Sequence, residues 1–98
     1  MCGAPVQDLS LEGIDVAAET VIQGIVSRGG APEGGAYVRL LDSSGEFTAE
    51  VVTSATGAFR FFARPGSWTL RALATGGAQA DAEVDAEQGI VTEASIDL

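Results

Sequence analysis

Cysteine occurs once in the 98 residues, at position 2, and its thiol is the most reactive group the sequence offers. Trimming of Met1 ahead of this small residue would leave Cys2 as the N-terminal residue, with its sulfur beside an α-ammonium group. A neighbouring cation favours the nucleophilic thiolate, and Gly3 leaves one side of it unscreened. Such a thiol is suited to accept a sulfane sulfur from a donor persulfide. The competing account is an incidental cysteine in an irregular tail. With no second cysteine an internal disulfide cannot form, and a single thiol suits a reducing cytosol.

The sequence has no histidine, and its five cations are all arginine: Arg28, Arg39, Arg60, Arg64 and Arg71. Ser–His–Asp and Cys–His nucleophile pairs therefore cannot be assembled within one chain. Lysine Schiff bases, imidazole metal sites and a lysine-dependent phosphate loop are excluded with them. Only carboxylates, hydroxyls, arginine and Cys2 are left for catalysis, so the expectation is a non-enzyme with no cofactor and no metal.

Arg39, Arg60 and Arg71 fall at outward positions of their strands, near Tyr37, Phe62 and Leu73. Were those strands neighbours, they would gather into a basic and aromatic patch for thiosulfate, a carboxylate or the acidic rim of a partner. The alternative is cross-strand pairing with Glu50 and nearby acids. Asp81, Glu83 and Asp85 alternate with Ala80, Ala82 and Val84. A strand spaces such carboxylates about 7 Å apart, too far for one ion to reach three, so they read as a charged face guarding an edge.

The chain has a formal charge of −9 and 46% hydrophobic residues. Acidity of this size opposes nucleic acids and anionic membranes as partners. No apolar run is long enough to span a bilayer, and the start lacks the basic and apolar regions of a secretion signal. A cytoplasmic protein is expected, of undetermined oligomeric state.

Residues 1–19 show no sustained period and read as a flexible arm, in which Leu9, Leu11 and Ile14 could dock on the body or on a partner. From Thr20 onward short apolar or alternating runs are separated by turn chemistry at regular spacing. The runs are Thr20–Ser27, Gly35–Leu41, Phe47–Thr53, Ala58–Ala63, Ser67–Ala74, Gln79–Ala86 and Ile90–Leu98. Seven strands without a helical window indicate an all-β antiparallel sandwich or barrel over residues 20–98. Parity places Ala36, Val38, Leu40, Phe59, Phe61, Trp68, Leu70 and Ala72 in the core, with Ile90, Ala94, Ile96 and Leu98. Tyr37, Arg39, Leu41, Glu50, Val52, Arg60, Phe62, Thr69, Arg71 and Leu73 fall on the opposite faces. Trp68 is read as core rather than as a platform for a sugar.

The spacing Gly24-x-Val26, Pro32-x-x-Gly35-Ala36-x-Val38-x-Leu40, Thr56-Gly57-x-Phe59-x-Phe61 and Pro65-Gly66-x-Trp68-x-Leu70 resembles the carboxypeptidase regulatory-like domain. That resemblance implies a transthyretin-like (prealbumin-like) sandwich of seven strands. Over nearly the whole chain, including Met1-Cys2-Gly3-Ala4-Pro5 and the block Ser54–Ala74, the sequence resembles a small actinobacterial family of uncharacterised proteins. Its members are often encoded beside rhodanese-type thiosulfate sulfurtransferases. The resemblance therefore implies an accessory role in sulfur metabolism, with such an enzyme as partner and Cys2 as the sulfur acceptor. The other reading is a β-sandwich binding or scaffolding module in which Cys2 is incidental. Hydroxyisourate hydrolase, an enzyme of the same fold, needs histidines and a C-terminal Tyr-Arg-Gly-Ser. This chain ends Ser95-Ile96-Asp97-Leu98.

Overall fold

The computed structural model describes Asp15 and residues 17–98, so most of the arm expected over 1–19 lies outside the described residues. Alternating apolar runs give the strands β1 (Val21–Arg28), β3 (Tyr37–Leu41), β4 (Phe47–Val52), β5 (Ala58–Phe62), β6 (Gly66–Leu73), β7 (Gln79–Ala86) and β8 (Val91–Asp97), and a two-residue β2 (Ala31–Pro32). Seven of the eight match the expected runs. The additional β2 folds back on the end of β1, pairing Arg28 with Ala31. The one helical piece among the described residues is a 3₁₀ turn, Thr75–Gly77.

The strands form two stacked sheets. In the first, β1 is central, flanked by β5 and β8, with β2 at its end. The second has the order β4-β3-β6-β7. Every pairing is antiparallel except that of β1 with β8, which is parallel and runs from Val21↔Val91 to Ser27↔Asp97. The antiparallel sandwich expected from the sequence is thus observed, with this one parallel pair within it. Side-chain alternation has the same period in either direction, so sequence parity could not separate the two.

The inward faces meet in one core. Phe59, Ile22, Leu40, Leu70, Val26 and Val38 are fully buried there, each contributing about 1.5–3 kcal/mol by leaving water. Phe59 and Phe61 pack with ring centroids 6.2 Å apart at 57°. Ala80, Ala82 and Val84 of β7 and Ala94 and Leu98 of β8 close the margins. One position departs from parity: Ile90, expected in the core, is 47% exposed because it belongs to the turn that precedes β8. Leu41 keeps its outward side but is covered, next to the register shift between Leu40 and Leu41 that leaves Thr48 as an extra residue on β4.

The crossing from β4 to β5 carries the chain from one sheet to the other. Thr53 fixes it: its N–H donates to the Ala36 carbonyl at 2.8 Å, and its hydroxyl donates to the Glu33 carbonyl at 2.7 Å while accepting from the Ala36 N–H at 2.9 Å. At Gly24 a neighbouring strand and a core ring leave no room for a side chain. A Cβ there would collide with the Ala94 carbonyl and lie 3.0 Å from the tip of Phe59. Gly24→Ala is therefore expected to destabilise the fold by about 1–3 kcal/mol, lowering the thermal midpoint by about 4–8 °C per kcal/mol. Calorimetry of the variant against wild type measures this.

Candidate functional site

The outward face of the second sheet collects three of the four residues singled out for binding, Tyr37, Arg39 and Arg71. Cross-strand register sets four charged side chains in one row: Glu50 on β4, Arg39 on β3, Arg71 on β6 and Asp81 on β7. The two arginines stand directly opposite each other, an arrangement that repels in isolation. Each guanidinium turns to a carboxylate at its own end of the row. Arg39 Nε donates to Glu50 Oε2 at 2.8 Å. Arg71 makes a two-pronged contact with Asp81, Nε to Oδ1 and Nη2 to Oδ2, both at 3.0 Å. The hydrogen bond from Arg71 holds the Asp81 carboxyl below its ordinary range and raises the guanidinium in return.

Beside this row runs an apolar one, in which Tyr37 pairs with Val52 on one side and Leu73 on the other. Tyr37 is 50% and Val52 46% exposed. On the opposite side of the charges Phe47, 60% exposed, pairs with Leu41. The face thus alternates apolar and charged strips, with an open depression of about 460 Å³ bordered by Leu41, Thr69, Arg71 and Glu83.

Arg60 is not part of this face. It lies on β5 in the first sheet, paired with Gln23 of β1, whose Oε1 accepts from Arg60 Nε at 2.9 Å. The sheets turn their outer faces in opposite directions, so the conditional three-arginine patch resolves into a pair, Arg39 and Arg71, and a separate Arg60. Cys2 lies outside the described residues. Sequence reasoning sets Leu73 near these arginines and Val52 on an outward side; Phe47 is the contributor it does not single out. Val52 shares parity with Glu50, and that signal becomes informative once β3 and β4 are known to be neighbours.

The remaining candidates are accounted for within the fold. Trp68 is buried in the core, and its Nε1 donates to the Arg64 carbonyl at 2.8 Å. β7 is an edge strand with Asp81, Glu83 and Asp85 exposed, Asp85 accepting from the Ser67 hydroxyl at 2.9 Å. Asp42 closes the β3–β4 turn, with Oδ1 accepting from the Ser44 hydroxyl and from the N–H groups of Ser44 and Glu46. These bonds, the Ser44 hydroxyl foremost, hold the Asp42 carboxyl low.

Asp42 and Asp81 both have folded-state pKa values below their unfolded ones. Their stabilisation is present above the unfolded aspartate pKa and is lost as pH falls through the folded values. The thermal midpoint should therefore drop on acidification through the carboxylate range. In the Asp42→Asn/Asp81→Asn double variant the drop should be shallower, as measured by circular dichroism melts across that range.

Comparisons with known proteins agree with this architecture. Residues 2–98 match the model of a family described as proteins of unknown function, DUF1416. Two uncharacterized proteins of Mycobacterium tuberculosis strain H37Rv are each 63% identical over 79 residues, covering 79% of this chain and 79% of each relative. An uncharacterized protein of Mycolicibacterium smegmatis is 64% identical over 66 residues, 66% of this chain and 73% of that one. Among solved structures, the Bacillus anthracis TIE protein superposes with a TM-score of 0.69 at 11% identity, over 82% of this chain, which spans 17% of that protein. The dioxygenase domain of a dioxygenase carbohydrate-binding protein fusion from Streptomyces sp. SirexAA-E superposes over 100% of this chain and 91% of that one, with a TM-score of 0.63 at 13% identity. At such identities the structural likeness concerns the sandwich fold alone. The match to the family model over residues 2–98, together with the mycobacterial relatives, makes this chain a member of the DUF1416 family of proteins of unknown function.

Proposed function

We propose that the chain is a non-catalytic accessory protein that docks a protein partner on the outer face of its four-stranded sheet. The observation that carries this reading is the half-exposed strip of Val52, Tyr37 and Leu73 beside a row of charges already paired within the chain. A partner covering the strip buries an aromatic anchor, the side chain most often dominant at interfaces. It meets no uncompensated arginine in the row, so the desolvation penalty of burying a lone charge is avoided. Small apolar strips flanked by polar groups suit a transient contact better than a permanent one.

A rhodanese-type thiosulfate sulfurtransferase is the proposed partner and sulfur transfer the proposed setting, on the strength of the family resemblance and of Cys2 as the single thiol in the chain. In that transfer the Cys2 thiolate attacks the outer sulfur of the enzyme's persulfide. The enzyme's cysteine departs as a thiolate, and Cys2 becomes the persulfide. The sandwich serves as the scaffold that brings the two together.

The two parts of the proposal separate by mutation. Tyr37→Ala with Val52→Asp should weaken binding to a purified rhodanese about tenfold or more, whereas Cys2→Ser and Arg60→Ala should leave it intact. Intact mass spectrometry after incubation with the persulfidated enzyme should add one sulfur to wild type and none to Cys2→Ser. Equal uptake by Cys2→Ser would refute the carrier role and leave a docking module with an incidental cysteine. Unchanged binding by the Tyr37/Val52 variant would refute the docking face.

A further inference from the structure

We infer that the free edge of β4 pairs antiparallel with β4 of a second copy, joining two four-stranded sheets into one. Thr53 donates its N–H to the Ala36 carbonyl and its carbonyl accepts from Gly35, so the backbone groups of Thr53 face the β3 side. By the alternation of an antiparallel ladder, Val38/Val51 and Leu40/Ala49 are hydrogen-bonded too. The intervening residues Glu50 and Val52 therefore turn their N–H and C=O groups away from β3, toward the rim of the sheet. β4 ends the sheet there, and no described group bonds to them.

Among the described residues the edges of β7 and β8 are guarded by carboxylates and that of β5 is capped at Ala58 and carries Arg60, whereas β4 has no backbone cap along its length. β7 presents three exposed carboxylates, and Thr92 caps the Asp85 carbonyl at 3.1 Å. β8 carries exposed Glu93 and Asp97. On β5 the N–H and C=O of Ala58 are both taken by Ser54. β4 has neither lysine nor proline, the usual edge protectors. Its single charge, Glu50, is drawn back over its own sheet by Arg39. Phe47 and Val52, at its two ends, are among the most exposed large apolar residues of the described chain.

The strand also fits itself. Paired residues must share a face, so the registers open to a two-fold pair are few. Centring on Glu50 would oppose two carboxylates. Centring on Val51 sets Glu50 of each copy against Val52 of the other, with both residues exchanging their outward backbone groups. It also places Val51 against Val51 on the core side, where that residue already packs. Each copy has a formal charge of −9, so the pair forms against long-range repulsion and tightens as salt screens it. This pairing uses backbone groups at the rim and shares Val52 with the proposed docking strip; Tyr37→Ala alone, which leaves β4 unaltered, should weaken the docking and keep the pair.

Sedimentation equilibrium of the full chain tests it. Wild type should approach the mass of two chains as concentration rises, more readily at high salt. Val52→Pro removes an outward N–H, and Val52→Glu sets a carboxylate against Glu50 of the other copy. Both should remain at the mass of one chain with an unchanged far-ultraviolet β spectrum. Val52→Lys, placed against the same Glu50, should keep the pair. A wild type of single-chain mass at every concentration and salt, a mass beyond two chains, or a Val52→Glu variant that still pairs would overturn the inference. Should Val52→Pro fail to fold, Val52→Glu decides alone. Loss of the pair in Val52→Lys would overturn the register.

Discussion

The absence of a side chain at Gly24 governs the first sheet. β1 is held between β5 and β8, and at its middle Phe59 on one side and the Ala94 carbonyl on the other approach so closely that no Cβ fits. Because that space is vacant, the Phe59 ring can lie against the centre of the core, where it is fully buried. The second sheet then has a filled surface to pack on: Val38, Leu40, Leu70 and Ala72 meet the same cluster. The outer row of Glu50, Arg39, Arg71 and Asp81 follows in turn, because its register is the register of the strands whose inner residues that core has locked.

Much of this was legible in the chain. Strand positions, turns and most inward residues follow from alternation interrupted by Gly-, Pro- and Asp-containing turns, since each face must be either buried or wet. What alternation does not encode is partnership. Arg39, Arg60 and Arg71 have the same outward parity, yet register joins Arg39 to Arg71 and leaves Arg60 on the other sheet. The parallel direction of β8 is hidden for the same reason. Ile90 is misplaced by local geometry, because a turn takes it out of β8.

The composition of the outer face changes what its arginines can do. Outward guanidiniums in an acidic protein suggest a site for anions, but both are committed to carboxylates of the same sheet. Such exposed pairs add little to stability. Their effect is to orient long side chains, keeping the Tyr37 strip uncovered and giving it a defined polar border. In the proposed docking, selectivity would then come from the shape and order of the strips rather than from net attraction.

The adjacency of β1 and β8 has a consequence for biosynthesis. Ser27 and Asp97 touch across a separation of 70 residues, their side chains bonded at 3.1 Å, so the central strand lacks one flank until β8 has been synthesised. Contacts this distant along the chain slow folding, and a nascent chain arrested before Val91 would display a half-paired apolar strand to the ribosome exit and its attendant chaperones. Emergence of β8, rather than the gradual appearance of local segments, is thus the event that closes the first sheet.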